Sequence, residues 1–437
     1  MSGPVGGTVR FDAFMEDALY GPSGFYVRGG RPAARDGDFA TSVELGTLFA
    51  RCVAGYLDRT WNELGRPDPF VVVEGGAGRG TLCRQVLTYA GDCRRALRYV
   101  MVERVAHQRA DALTAVADMH SRPPASPVTG LRANTGDEDA GDGPVTSSEQ
   151  PVIAAADLPK GPVVGVVLAN ELLDNLPFRL LERSATGWRE VHIKRDEPAA
   201  EASQTSECDG TSESEELLSA AGTAAVAAPA ALAGAVADAP DPAGVAGPAA
   251  AVAAVAAPAA ATGTVSELLF DAPDDAAAMA DALAPHAEPG ARVPLQLKAV
   301  VWVGRALRLV DRGRLLVFDY GVPTTAELAA RSVTEWLRTY RAHRRGHDPL
   351  GDPGSADITC DVAFDQLPPG ATLTLQADWL TGAGIADMTV AAQRLWQRSR
   401  ANPTADSLAA RTLLDEAAAL TDPHGMGAFW AAEWHVG

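Results

Sequence analysis

The sequence predicts an α/β fold, a doubly wound and mostly parallel sheet with an added helical portion and two low-complexity insertions. Three observations carry this. Short β-branched apolar runs alternate with helical stretches, the pattern of a parallel sheet covered on both faces. Several of these runs end on an acid or an amide, as strands do where such a sheet opens onto a ligand. Two stretches, 121–150 and 196–264, are poor in large apolar side chains and cannot offset the entropy of ordering by burial.

Taken in order, residues 1–60 read as an N-terminal helical segment. Met1 to Arg10 has neither an apolar h-region nor an arginine-rich amphipathic pattern, so no signal or transit peptide is expected. Phe70 to Glu74 is a buried parallel strand that ends at glycines, and Thr81 to Thr88 is the helix after it. Arg98 to Glu103 is a second strand, Val152 to Ala155 a short third and Gly161 to Ala169 a fourth. Phe178 to Glu182 and Trp188 to Lys194 form a hairpin around Ala185-Thr186-Gly187. Leu295 to Val310 is a long amphipathic helix, Arg314 to Tyr320 a fifth parallel strand, and Ala371 to Ala377 a late edge strand. The core therefore occupies 61–195, with 121–150 disordered inside it. It breaks at the Ala/Pro-rich disordered insertion 196–264 and resumes over 265–400 with a further helical portion. A helical tail, 401–437, closes the chain. This is a Rossmann-like arrangement, and its ligand is expected at the strand ends Glu74, Glu103, Asn170 and Asp319.

The formal net charge is -19, which argues against general affinity for nucleic acid or anionic membrane. It is compatible with a basic protein partner and also with mere solubility. Five widely spaced cysteines without a CxxC argue against a disulfide framework or a zinc site, and no metal is expected. The longest apolar-looking stretch, about 220–265, is alanine broken by proline and glycine, so no membrane span is expected. Together these point to a soluble, cytoplasmic protein.

The chemistry begins at Glu74-x-Gly76-x-Gly78-x-Gly80. A nicotinamide loop reads GxGxxG, so that helix amides face a pyrophosphate; here the spacing is GxGxG and an acid ends the strand just before it. An acid there repels a pyrophosphate and suits S-adenosylmethionine, which carries a sulfonium and an amino group. The alternatives are a dinucleotide enzyme or a glycine turn without a ligand. Glu103 ends the second strand, where a carboxylate can accept both ribose hydroxyl protons. After the fourth strand stand Asn170, Glu171 and Asp174. Methyl transfer is an in-line displacement in which alignment dominates, and carboxylates can pin a planar guanidinium. The same three residues also read as a helix N-cap with acids in its first turn.

Further motifs accompany these. Phe11-Asp12-Ala13-Phe14-Met15, Ala18-Leu19-Tyr20-Gly21-Pro22 and Gly24-Phe25-Tyr26 open the chain, followed by Gly37-Asp38-Phe39-Ala40-Thr41-Ser42-Val43-Glu44-Leu45. Ala169 to Pro177, Phe318-Asp319-Tyr320-Gly321, Asp357-Ile358-Thr359 and Gln376-Ala377-Asp378-Trp379-Leu380 come later in the same order. This series resembles the MidA-type methyltransferase family over most of the chain outside the insertions. Val43 departs from a usual proline, and Asp361 and Ala363 stand where the family has the histidine and aspartate of HVDF. The resemblance implies a class I methyltransferase fold whose helical addition lies on the acceptor side. It implies a cofactor held by Gly76, Gly78, Gly80 and Glu103 beside Glu74, and covered by Asp38, Thr41, Ser42 and Glu44 as a lid. It implies Asn170 and Glu171 facing the acceptor. More finely, it implies methylation of a protein arginine, which in mitochondrial members belongs to a respiratory complex I subunit. Two other functions stay open: an S-adenosylmethionine-binding assembly factor without turnover, and a small-molecule methyltransferase. A homodimer is compatible with the sequence, which does not decide the oligomeric state.

Overall fold

Seven strands form the central sheet: β1 (Phe70–Gly75), β2 (Leu97–Val102), β3 (Val152–Ala155), β4 (Val163–Asn170), β5 (Val310–Asp319), β6 (Thr372–Leu375) and β7 (Trp430–Val436). Their order is β6-β7-β5-β4-β1-β2-β3. The strands from β1 to β5 run parallel to their neighbours, and β7 lies antiparallel between β5 and β6. The computed structural model describes residues 7–29, 41–117, 132–134, 152–195, 265–341 and 344–437.

The strands read as unbroken apolar runs because each feeds two cores. Phe70, Val72, Tyr99, Met101, Val166, Leu168, Leu316 and Phe318 pack on one face, against helices Leu48–Glu63 and Thr81–Tyr89. Val71, Val73, Val100, Val102, Val167, Ala169, Leu315 and Val317 pack on the other, against helix Leu297–Leu309 through Ala299, Val303 and Ala306. A side chain such as Val72 or Val73 is fully buried, and each contributes about 1.5–3 kcal/mol relative to exposure. This two-faced burial gives the doubly wound α/β fold expected from the sequence. The strand order reverses between β1 and β4, so a crevice opens there beyond the carboxyl ends of the strands.

Two additions surround the sheet. Helices Gln376–Gly382, Ile385–Ser399 and Ala405–Leu420 pack near helix Leu48–Glu63. The second addition is antiparallel β. Hairpin Arg179–Arg183 and Trp188–Arg195 pairs with Thr8–Arg10, Val265–Asp271 and Arg292–Leu295. Leu337–Arg341 pairs with Arg344–Gly346 and Asp357–Cys360. Helix Phe11–Tyr20 packs with both groups through Phe11, Phe14, Met15 and Leu19.

Three expectations are corrected or qualified. Residues 401–437 are not a purely helical tail: after helix Ala405–Leu420 the chain enters the sheet as β7, driven by Ala431, Ala432 and Trp434, which are buried on its two faces. Within 121–150, Arg132–Asn134 is a strand paired with Asp157–Lys160; the remainder of that insertion, all of 196–264, Asp38 and His343 lie outside the described residues. Strands Leu337–Arg341 and Asp357–Cys360 stand beside the helices of 265–400. They are short, Leu337–Arg341 carries two arginines, and Asp357–Cys360 is buried throughout and so shows no alternation. Among the described residues, no helix is long and apolar enough to cross a membrane.

Candidate active site

Strand β1 carries Glu74 into the crevice, and the chain then turns through Gly76, Gly78 and Gly80 at φ of 66°, 52° and 72°. The two later glycines serve different ends. A Cβ at Gly80 would lie 2.9 Å from Met101 Sδ and 3.2 Å from Ala112 Cβ, so this glycine lets helix Ala106–Ala117 approach the loop. A Cβ at Gly78 would meet nothing nearer than Gln108 Oε1 at 3.9 Å, so its open face belongs to the cavity. Gly76 and Gly78 line that cavity and Gly80 does not. The turn is closed by Gly80 N–H donating to Ala77 O at 2.8 Å and by Ala77 N–H donating to Val102 O at 3.0 Å.

The cavity has a volume of about 500 Å³. Glu103, just past β2, forms one wall. Its Oε2 accepts from Gly78 N–H at 3.0 Å and its Oε1 from Val105 N–H at 2.7 Å. Burial pushes this carboxyl up, and the two amides oppose that. Each oxygen keeps a further lone pair for a ligand hydroxyl. Glu74 is buried beneath the loop, accepts from Tyr99 O–H at 2.8 Å, and is pushed up to about 8 by burial. Asp157 stands two residues past the short strand β3, at the start of strand Asp157–Lys160, lines the cavity, and pairs with Arg305 at 2.6 Å.

The opposite end is built by the turn after β4. Glu171 sits at φ 50°, a left-handed conformation uncommon for a side chain of this size, held by Glu171 N–H donating to Phe318 O at 2.8 Å. Its Oε1 accepts from Ser42 N–H at 3.0 Å and Asn170 Nδ2 at 3.1 Å. Burial raises Glu171 to about 7. Glu44, on the turn from Thr41, faces the same cavity and is raised to about 8, first by burial and then by the nearby Glu171 charge. Its Oε2 is buried with no hydrogen-bond partner among the described residues. Tyr20 and Tyr26 complete this end; they stack at 5.4 Å.

Of the residues singled out in the sequence, Glu74, Gly76, Gly78, Glu103, Thr41, Glu44, Asn170 and Glu171 come together around one cavity. Ser42 does not line the cavity and meets it through Glu171, to which its amide donates. Asp174 stands behind the wall: it is buried, accepts from Tyr320 O–H, and is raised to about 6 by burial. Tyr20, Tyr26, Gln108, Asp157, Trp302 and Arg305 also line the site and were not singled out. Asp157 carries a weaker form of the signal at Glu103, an acid two residues beyond a parallel strand that is only four residues long.

The charges are unequal. Arg79 pairs with Asp111 at 2.9 Å, Arg305 with Asp157, and Arg104 with Glu16. Among the described residues no ion pair engages Glu44, Glu74, Glu103 or Glu171, so the cavity presents uncompensated acid, a setting for a cationic ligand.

Residues 52–381 match a family model described as "Putative S-adenosyl-L-methionine-dependent methyltransferase". Among curated proteins, the chain is 25% identical over 369 residues to the Drosophila melanogaster "Protein arginine methyltransferase NDUFAF7 homolog, mitochondrial", covering 82% of this chain and 65% of that one. It is 23% identical to the Xenopus tropicalis "Protein arginine methyltransferase NDUFAF7, mitochondrial", covering 82% and 66%. The chain thus spans about two thirds of the length of these relatives. These relatives are mitochondrial by name, which overturns the cytoplasmic placement: an acidic net charge and the lack of a recognisable leader pattern are weak guides to compartment. The fold matches that of a crystal structure of a COG1565 superfamily member from Burkholderia thailandensis bound to S-adenosyl-homocysteine, with a TM-score of 0.65 at 21% identity over 98% of this chain and 88% of that one. The match over three quarters of the sequence, together with a glycine loop, a strand-end acid and an acid-lined crevice at the switch point, establishes that the chain belongs to this family of S-adenosyl-L-methionine-dependent methyltransferases.

Proposed function

We propose that the protein transfers a methyl group to an arginine side chain of another protein. The observation that carries this is the placement of Glu171: a strained, fixed carboxylate at the switch point, in one cavity with the glycine loop. Support comes also from the curated relatives, which are named protein arginine methyltransferases.

The cavity fits the cofactor. The open face of Gly78 and the unpartnered Oε2 of Glu44 supply room and an acceptor for a cation. Glu103 would take the ribose hydroxyls, Glu44 the amino group, and the amide end of helix Thr81–Tyr89 the carboxylate. Thr41, with the turn around it, would cover this end. When bound, the cofactor supplies an electrophilic methyl on a sulfonium. Glu171 and Asn170 would then orient the acceptor. With Oε1 committed to Ser42 and Asn170, Oε2 of Glu171 is left to accept from a guanidinium N–H, a charge-assisted bond with defined direction. The nitrogen that gains a methyl sheds a proton, and a carboxyl raised to about 7 is matched to take it. Asp174 would act only from behind, through Tyr320.

The test is methylation of an arginine-rich protein extract with deuteromethyl-labelled cofactor, read by mass spectrometry. Label on arginine is expected, and label confined to lysine or small molecules overturns the reading. A Gly78→Asp control should lose cofactor affinity at least about a hundredfold in calorimetric titration. It would place a carboxylate on the cavity face beside Glu103, at a cost of about 1.4 kcal/mol per tenfold.

A further inference from the structure

The Thr41–Leu48 stretch touches the site at one end and the C-terminal part of the chain at the other. Ser42 is the joint. Its N–H donates to Glu171 Oε1 at 3.0 Å, and its Oγ lies 3.3 Å from both amide atoms of Gln376. Gln376 is wholly buried. Its backbone N–H donates to Phe429 O at 2.7 Å and its Nε2 to Met426 O at 3.0 Å. A second tie lies a turn further on. Glu416, from helix Ala405–Leu420, accepts from Leu48 N–H at the start of helix Leu48–Glu63 and fills the space beside Gly46, where a Cβ would lie 2.2 Å from its Oε2. Elements more than three hundred residues away in sequence therefore set where the Ser42 amide points.

We propose that Gln376 is a positioning residue for methyl transfer, acting through Ser42 to hold the Glu171 carboxylate toward the acceptor. This rests on the reading of Glu171 as the acceptor-end carboxylate. The C-terminal helical portion is then a component of the site and not only a buttress for helix Leu48–Glu63. A wholly buried amide whose side chain has no apolar substitute able to make these bonds suits that task.

The experiment uses the full chain with two variants. Gln376→Ala removes the buried amide. Ser42→Ala keeps the backbone N–H and removes the hydroxyl, which bonds both Gln376 and Glu171, so it tests the idea if Gln376→Ala fails to fold. Hydrogen exchange by mass spectrometry over residues 41–48 should accelerate about tenfold in either variant, while β1 stays unchanged. Turnover on an arginine substrate should fall about tenfold, more than cofactor affinity falls. The acid limb of its pH profile should move upward, because the Ser42 amide holds Glu171 down. Combined with Glu171→Gln, neither variant should lower turnover further, since partners in one network are not additive. Unchanged exchange over 41–48 overturns the clamp, as do losses that multiply with Glu171→Gln. If Glu171→Gln itself leaves turnover intact, the reading of Glu171 fails and the proposal falls with it; exchange still reports whether the tie to Gln376 orders the turn.

Discussion

Glu171→Gln is expected to lower the single-turnover rate of methyl transfer about a thousandfold while leaving cofactor affinity within about threefold. The substitution keeps shape and most bonds. A glutamine Oε1 can still accept from Ser42 N–H and Asn170 Nδ2, which bind Glu171 at 3.0 and 3.1 Å, so the left-handed turn after β4 should persist. What disappears is the charge. A guanidinium held by a carboxylate makes bonds roughly twice as strong as neutral ones, and loss of the proton acceptor alone removes typically 10²–10⁴ of rate. A thousandfold corresponds to about 4 kcal/mol of transition-state stabilisation. Asp174→Asn is the informative contrast. Asp174 does not line the cavity and its carboxyl accepts from Tyr320 O–H, a bond that an asparagine oxygen can also accept. Its turnover should fall less than about tenfold. Rapid-quench methyl transfer and calorimetric titration measure both quantities, and Glu171→Gln turning over within tenfold of the unaltered protein would sink the acceptor-end assignment.

The two acids next to each other in this contrast also mark where sequence reasoning reached and where it stopped. The strands were legible because burial on both faces makes every position of Phe70–Gly75 or Val163–Asn170 apolar until the strand meets the ligand. Glu74, Glu103, Asn170 and Glu171 were found by that change of character at a strand end. Asp174 obeys the same local rule, yet a short 3-10 turn at Leu173–Asn175 directs it inward to Tyr320. Three residues of sequence do not reveal that rotation. Tyr20 and Tyr26 were legible only as part of a resemblance, because an aromatic side chain at the end of an N-terminal helix or in the turn after it reads equally well as core. The strand β7 was missed for a related reason. Trp430–Val436 contains few β-branched residues and follows a long helix, so its identity comes from the sheet edge that it fills between β5 and β6. The tie from Gln376 to Ser42 to Glu171 joins three distant segments, and no local pattern announces it.

Cofactor binding is expected to release protons, with affinity rising about tenfold per pH unit for each proton released between roughly pH 5 and 8. Glu44 is the principal group. Burial and the neighbouring Glu171 raise it to about 8 in the free protein, so at pH 7 it is largely protonated. A cation placed beside it favours the charged form and lowers that value toward the ordinary carboxylate range. Within the window between the two values, binding expels a proton, and affinity therefore climbs with pH; above about 8 the carboxyl is ionised before binding and the dependence on this group ends. The sulfonium charge does not titrate and cannot produce such a climb. The same sign governs stability. Glu74 is raised to about 8 in the folded chain, so its contribution is fully present below the ordinary carboxylate range and is lost as pH rises through 8. The free protein should lose stability over that interval, and bound cofactor should restore part of it by mass action. Titrations in buffers of different ionisation enthalpy at pH 6.5, 7.5 and 8.5 count the protons directly. Release near one proton or more at pH 6.5, shrinking by pH 8.5 and reduced in Glu44→Gln, is the expected pattern. A wild-type affinity flat from pH 6.5 to 8.5 would mean that Glu44 does not meet the cationic end of the cofactor, and it would exclude Glu171 from that role as well, because a carboxyl raised to about 7 would release a proton in the same window.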